Sequence, residues 1–494
     1  MTPEAWNMSE TAFNAQHLTG HGIALLRHMG EYVARKQART LVGPDTCRFP
    51  HALFAADDSF RDVQSAQAFM SGFFPPECAE SRSQTILVAN STYEGLHAAV
   101  TDDFETLCGG GPDEQHAEYL FGTTEALTRR YKPQFDKISS VLGCCSAELC
   151  ARYGVTSGAR CTIDELKYSF TGTFYQGLYT GPLQAAATFA QAWMLQSLSG
   201  VSDVAWGMLT DQEVLELYEV HMRLMWLGSN LNRSKSVGSH LLAFVVASLE
   251  QVIQGKPLKG AAPTGVDSSP PSFVALFSHD FNLLYLRKLL RASWLTEAWL
   301  FDVAATGASI SFELYEAEGN GDAEAGTRAS TVYRVRGVLT AASPEQQSSA
   351  VPLVPPEEPP GRSVFLDETF DAFKAAALST IELRCVLPPL RETAFALQKG
   401  SGSGGSGWAE LFRSGESIAV GALFLLAGCA FGCLGGRAAK GARRGNAIDA
   451  SSASEVRPVL DVAPPDQTLL GRSNPPRQQE EALLTPPDVA ATES

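Results

Sequence analysis

The stretch FVALFSHDFNLLYLRKLL, residues 273–290, constrains this chain more than any other. Five apolar residues, enough for a buried strand, run into Ser278-His279-Asp280, after which apolar residues recur at helical spacing. A buried strand that turns at once into a helix belongs to an α/β sheet. His279 and Asp280 are therefore expected at the C-terminal edge of that sheet, where a helix N-terminus favours an anion. An imidazole beside a carboxyl there can bind phosphate and deliver a proton to a leaving alkoxide. The pair can equally be an ordinary helix start, with Asp280 as the N-cap. A second strand-to-helix passage lies upstream, LFAAD (53–57) followed by RDVQSAQAFMSGF (61–73). Arg61 at that helix N-terminus opposes the dipole unless an anion sits there, and a surface salt bridge is its alternative reading.

The remaining pattern extends this architecture. Ile23, Leu25, Leu26, Met29, Tyr32 and Val33 form an apolar stripe on a first helix, and ILVA (86–89) is a further short strand. Between 112 and 255 the pattern is mainly helical, as in GPLQAAATFAQAWMLQSL and DQEVLELYEVHMRLMWLG. A hairpin follows (308–317 and 330–339), then a Pro-rich loop (344–362) and a last helix (370–381). Strands at both ends around a helical block predict an α/β sheet domain with an inserted α-helical domain. The expected boundaries are 1–110 and 263–396 for the two parts of the sheet domain and 111–262 for the helical domain. A Gly/Ser linker (397–416), a transmembrane helix (417–436) and a disordered tail (437–494) complete the reading.

The transmembrane expectation rests on twenty uncharged residues from Ser417 to Gly436. At about 1.5 Å rise per residue such a run spans a hydrocarbon core of about 30 Å. Arg437, Lys440, Arg443 and Arg444 follow, which puts the C-terminal side in the cytosol and the bulk of the chain in a lumenal or extracellular space. Eight cysteines before the run suit an oxidising compartment, with Cys78–Cys108 suggested as a local bridge. Asn7, Asn90 and Asn232 head glycosylation sequons. The polar start MTPEAWNMSETAF is no signal peptide, which conflicts with a lumenal location. In the tail, Leu469 and Leu470 complete an acidic-dileucine pattern of the kind sorting adaptors read, and a similar one ends at Leu483 and Leu484. A net charge of −16 argues against a nucleic-acid partner.

Taken together, these motifs resemble the histidine acid phosphatases, the group that includes bacterial phytases and glucose-1-phosphatases. SHDFNL resembles their HD loop, FRDVQSAQAF their R-T-x-x-[ST]-A segment and LTGHG their L-T-x-x-G helix start. TGTFYQGLYTGPLQAAATFAQAWMLQ, WGMLT, LYEVHMRL and NRSKS follow in the family's order, so the similarity covers residues 1 to about 390. The resemblance implies a phosphohistidine mechanism on a histidine-phosphatase-type fold, with no metal or other cofactor. A histidine in an RHGxRxP loop attacks phosphorus, while two arginines of that loop, Arg61 and His279 clamp the phosphoryl oxygens. Asp280 protonates the leaving group, hence in acidic conditions. Asn282 matches the asparagine that often follows the HD pair, whereas Phe281 replaces a common threonine.

Neither early histidine fits the nucleophile. Before His21 stands Gly20 where Arg is needed, and His28 is followed by Met29 in place of Gly, with Glu31 where the second Arg belongs. Both also sit on a helix pattern. The RHGxRxP loop, its strand and a signal peptide are therefore expected upstream of Met1, through a start assigned too far downstream. The expected function is a membrane-anchored acid phosphatase acting on phosphomonoesters. A catalytically inactive pseudophosphatase serving as a membrane binding or sorting glycoprotein is the alternative. A phosphomutase of the wider superfamily would use a glutamate as the acid, against His279-Asp280.

Overall fold

The computed structural model describes residues 17–41, 52–74, 86–89, 123–152, 154–155, 161–168, 181–261, 270–318, 331–349, 361–400 and 418–427. Met1–Ala438 form one compact unit; the second, Ala439–Ser494, lies outside the described residues, as do Leu469 and Leu470.

Helix α1 (Gly20–Leu41) carries the first apolar stripe, and Leu26, Met29 and Val33 are buried. Strand β1 (Ala52–Asp57) leads into α2 (Phe60–Phe73), and β2 (Leu87–Ala89) follows. The helical block contains α3 (Thr124–Leu142), α4 (Pro182–Leu198), α5 (Asp211–Gly228) and α6 (Leu231–Gln254). Strand β3 (Phe273–Ser278) then runs into α7 (Asp280–Leu290), and β4 (Ser309–Glu318) and β5 (Thr331–Ala341) form the hairpin. Strand β6 (Gly361–Thr369), α8 (Phe370–Thr380), α9 (Pro388–Gly400) and β7 (Ile418–Ala427) complete the described chain.

The strands form one mixed sheet in the order β2-β1-β3-β7-β4-β5-β6. Strands β2, β1, β3 and β7 run parallel, and β4, β5 and β6 continue antiparallel. All six residues of β3 are buried, as a parallel strand covered on both faces requires. On one face Phe54, Phe69, Phe73, Phe273 and Phe277 pack together beneath α1 and α2. The other face meets the helical block, whose α6 is long and apolar enough to cross a membrane but is a buried core helix.

Two expectations are corrected here. The apolar run 417–436 is not a membrane-crossing helix over its described part: Ile418–Ala427 lie in the sheet between β3 and β4. An uninterrupted apolar run has no period of its own, so it suits a central strand buried on both faces as well as a span. The Pro-rich loop is also shorter than expected, because it holds a helical turn at Pro344–Ser348 and gives way to β6 at Gly361. Strand β6 and helix α9 were both unforeseen. The β6 sequence GRSVFLDET is an edge strand with charged residues and only partial burial, so it lacks a strong apolar alternation.

Helices α1 and α2 touch backbone to backbone. A Cβ on Gly30 would overlap the Phe69 carbonyl oxygen, and one on Gly72 the Arg27 carbonyl oxygen. Gly72→Ala must therefore separate the helices, and a loss of about 2 kcal/mol or more is expected in denaturant unfolding.

Cys150 and Cys161 form a buried disulfide with Cα atoms 6.1 Å apart. Cys144 is bonded to Cys145, and Cys385 is also disulfide-bonded. The suggested Cys78–Cys108 bridge lies outside the described residues, as do Asn7 and Asn90; Asn232 is exposed in the first turn of α6. Replacing Cys150 and Cys161 together by Ser should lower stability by about 2–3 kcal/mol, read as a shift in the urea midpoint.

Candidate active site

The parallel register delivers two chain segments to one point. Ala56 pairs with Phe277, so Asp57 and the residues after Ser278 leave the sheet side by side at its C-terminal edge. Ser59 caps α2 and puts Arg61 and Asp62 in its first turn, while His279 caps α7. Asp280 is thus the first helical residue, not the N-cap, and its carboxylate accepts from the Phe281 N–H at 2.9 Å.

Arg61 and His279 meet directly, the guanidinium Nη2 lying 3.1 Å from Nδ1 of the imidazole. A guanidinium only donates, so Nδ1 accepts and the ring proton sits on Nε2. Nε2 in turn donates to Asp57 Oδ2 at 2.9 Å, and Asp62 Oδ2 lies 3.6 Å from the same nitrogen. The imidazole in this arrangement is neutral, held between a cation on one side and two carboxyls on the other. Arg61 Nε is buried and has no hydrogen-bond partner. A cation at the mouth of α2, against the dipole, is what an anion-binding edge calls for.

Asp62 is fully buried, and no hydrogen bond of normal length reaches either of its oxygens. Burial pushes its carboxyl up to about 6, with Asp57 adding to the rise and His279 in its charged form, Arg61 and the Ser59 hydroxyl opposing it. A folded value above the unfolded one means that the folded state binds the extra proton between about 4 and 6. The group therefore costs nothing in acid and destabilises the fold as pH rises through that window. Asp62→Asn is expected to stabilise the protein by about 3 kcal/mol at pH 7.5 and by little at pH 4, read by thermal melts at both pH values.

The helical block reaches this edge through His221 on α5. Burial drives its imidazole down to about 4, against the pull of Asp280. The NRSKS segment contributes a buried Arg233, whose Nε donates to the Tyr285 hydroxyl at 3.1 Å and so ties α6 to α7.

Asp57, Asp62 and His279 bring ligand atoms within 4.8 Å of one another, the one such group among the described residues. The tautomer opposes a metal ion there. Coordination through Nε2 needs that nitrogen bare, while the Arg61 contact needs a bare Nδ1, and an imidazole with both requires a further deprotonation.

A family model described as the histidine phosphatase superfamily (branch 2) matches residues 6–340. The chain belongs to this superfamily. Solved structures of similar fold include a phytase from Citrobacter braakii, 18% identical with a TM-score of 0.57, covering 75% of this chain and 90% of that one. A phytase from Klebsiella sp. ASR1 is 17% identical with a TM-score of 0.58, over 79% of this chain and 92% of its own. A phytase from Hafnia alvei in complex with myo-inositol hexakis sulphate is 20% identical with a TM-score of 0.56, over 75% and 89%. No curated protein sequence matches the chain.

Within this histidine phosphatase, sequence reasoning picked Arg61, His279 and Asp280, and the fold gathers all three at one edge. It missed Asp57 and Asp62. Asp62 stands at the threonine position of the R-T-x-x-[ST]-A segment, and that mismatch was the one available signal. His21 and His28 both lie in α1; His21 Nε2 contacts the Gln347 carbonyl oxygen, and His28 Nδ1 pairs with Glu31 at 3.1 Å.

Proposed function

We propose that this histidine phosphatase binds phosphomonoesters, with Arg61 and His279 holding the phosphoryl oxygens and Asp280 donating the proton to the leaving alkoxide. The observation that carries the reading is the Arg61–His279 contact of 3.1 Å at the C-terminal edge of parallel strands, beside two helix N-termini. An incoming oxyanion takes over the Arg61 donors now spent on Nδ1, and the helix ends add fixed dipoles that need no reorganisation. Asp280 at the first position of α7 lies on the same edge, where a carboxyl can protonate a leaving oxygen when conditions are acidic. The phytase neighbours make phytate one candidate among phosphomonoesters. The disulfides support a lumenal or extracellular site of action.

The attacking histidine has no counterpart in residues 1–494, which contain no RHGxRxP sequence. The second reading is a pseudophosphatase that binds oxyanions without turning them over. Tungstate affinity, measured beside p-nitrophenyl phosphate hydrolysis between pH 4 and 8, separates the two. Binding with hydrolysis supports the enzyme, binding without it supports the binder, and absence of binding overturns both.

A further inference from the structure

We propose that Asp62 is a positioning residue for His279: it stores a proton in the empty site and becomes the second counter-ion of the imidazolium once an oxyanion is bound. The inference rests on the phosphate-binding reading above and adds to it a residue outside the expected site.

The geometry is unusual for an acid in a helix first turn. Such acids ordinarily serve the dipole or cap the backbone from the surface. Asp62 is fully buried instead, no hydrogen bond of normal length reaches its oxygens, the Ser59 hydroxyl lowers its pKa only weakly, and Oδ2 lies 3.6 Å from Nε2 of His279. A buried carboxylate left so would be costly, and the cost falls if the group is protonated or faces a cation. The charged groups acting on it are Asp57 from the end of β1, His279 from the end of β3 and Arg61 on its own helix. Only His279 can change its own charge in response to a ligand, because Arg61 stays protonated and Asp57 already accepts the Nε2 proton.

Without ligand, Asp62 holds a proton below about pH 6, and the Arg61 donor on Nδ1 goes with a neutral imidazole. An oxyanion draws the Arg61 donors away and leaves the Nδ1 lone pair facing negative charge. Nδ1 then gains a proton while the Asp62 carboxyl releases one through water, so the cluster's proton count is unchanged. The product is an imidazolium donating from Nδ1 to the oxyanion and from Nε2 to Asp57, with ionised Asp62 beside it. Above about pH 6 Asp62 has no proton to give, and binding must take one from solvent.

The test uses inorganic sulfate, which stays a dianion throughout, titrated calorimetrically into the full chain from pH 5 to 8 in two buffers of different ionisation enthalpy. In the wild type, affinity is expected to be level below about pH 6 and to fall about ten-fold per unit above it, with proton uptake appearing over the same range. Asp62→Asn, expected above to fold more stably at neutral pH, should bind about ten-fold more weakly at pH 5.5 and take up a proton there. A variant that matches the wild-type profile, or binds sulfate more tightly, overturns the assignment while leaving phosphate binding intact. Failure of the wild type to bind sulfate at any pH overturns the phosphate-binding reading, and this inference with it.

Discussion

Arg61→Ala or His279→Ala abolishes measurable tungstate binding by the full chain, and in any form of the protein that hydrolyses p-nitrophenyl phosphate it lowers turnover about 100-fold or more. The expectation follows from what each side chain does. Arg61 supplies the fixed positive charge at the mouth of α2, and without it the edge retains Asp57 and Asp62 and repels an oxyanion. His279 supplies the second donor, and its Nε2–H also engages Asp57 at 2.9 Å, with Asp62 3.6 Å from the same nitrogen. The decisive comparison is with Lys in place of Arg61. Lys keeps the charge but loses the forked donors, and it should recover only part of the affinity. Wild-type affinity in Arg61→Ala would remove Arg61 from the site.

The second large effect concerns β7. Leu423 pairs with Val274 of β3 on one side and with Phe312 of β4 on the other. A proline there removes a backbone donor from a central strand, and a loss of about 3 kcal/mol or more is expected, enough to unfold a marginal protein. A sheet strand predicts collapse for Leu423→Pro, read by thermal melting. A membrane-crossing helix over 417–436 tolerates the proline and predicts that Leu423→Pro folds normally and stays with the membrane on alkaline extraction.

What could be read from the sequence divides along physical lines. Strands β1 and β3 and helices α2 and α7 were legible because each is a buried apolar run that changes period at a polar junction. The junctions named Arg61, His279 and Asp280 for the same reason. Strand β6 was illegible because an edge strand needs no alternation to hold its place. Residues 418–427 were read as part of a span because length and apolarity are shared by a span and a central strand, and only pairing partners distinguish them. Asp62 shows in the sequence only as a mismatch in the R-T-x-x-[ST]-A segment, because its meaning depends on a histidine more than two hundred positions away, which no local pattern encodes.

The place of β7 in the sheet also sets a timetable for synthesis. The strand that joins the parallel half to the antiparallel half is the last described segment of the chain, whereas its neighbours β3 and β4 begin at Phe273 and Ser309. A ribosome therefore releases both halves about fifty residues before the piece that unites them. Until then each half presents an open edge, and open apolar edges recruit strands from other chains. Nascent chains halted before residue 418 should consequently be clients of holding chaperones, and the protein's yield should depend on how quickly the ribosome finishes the message.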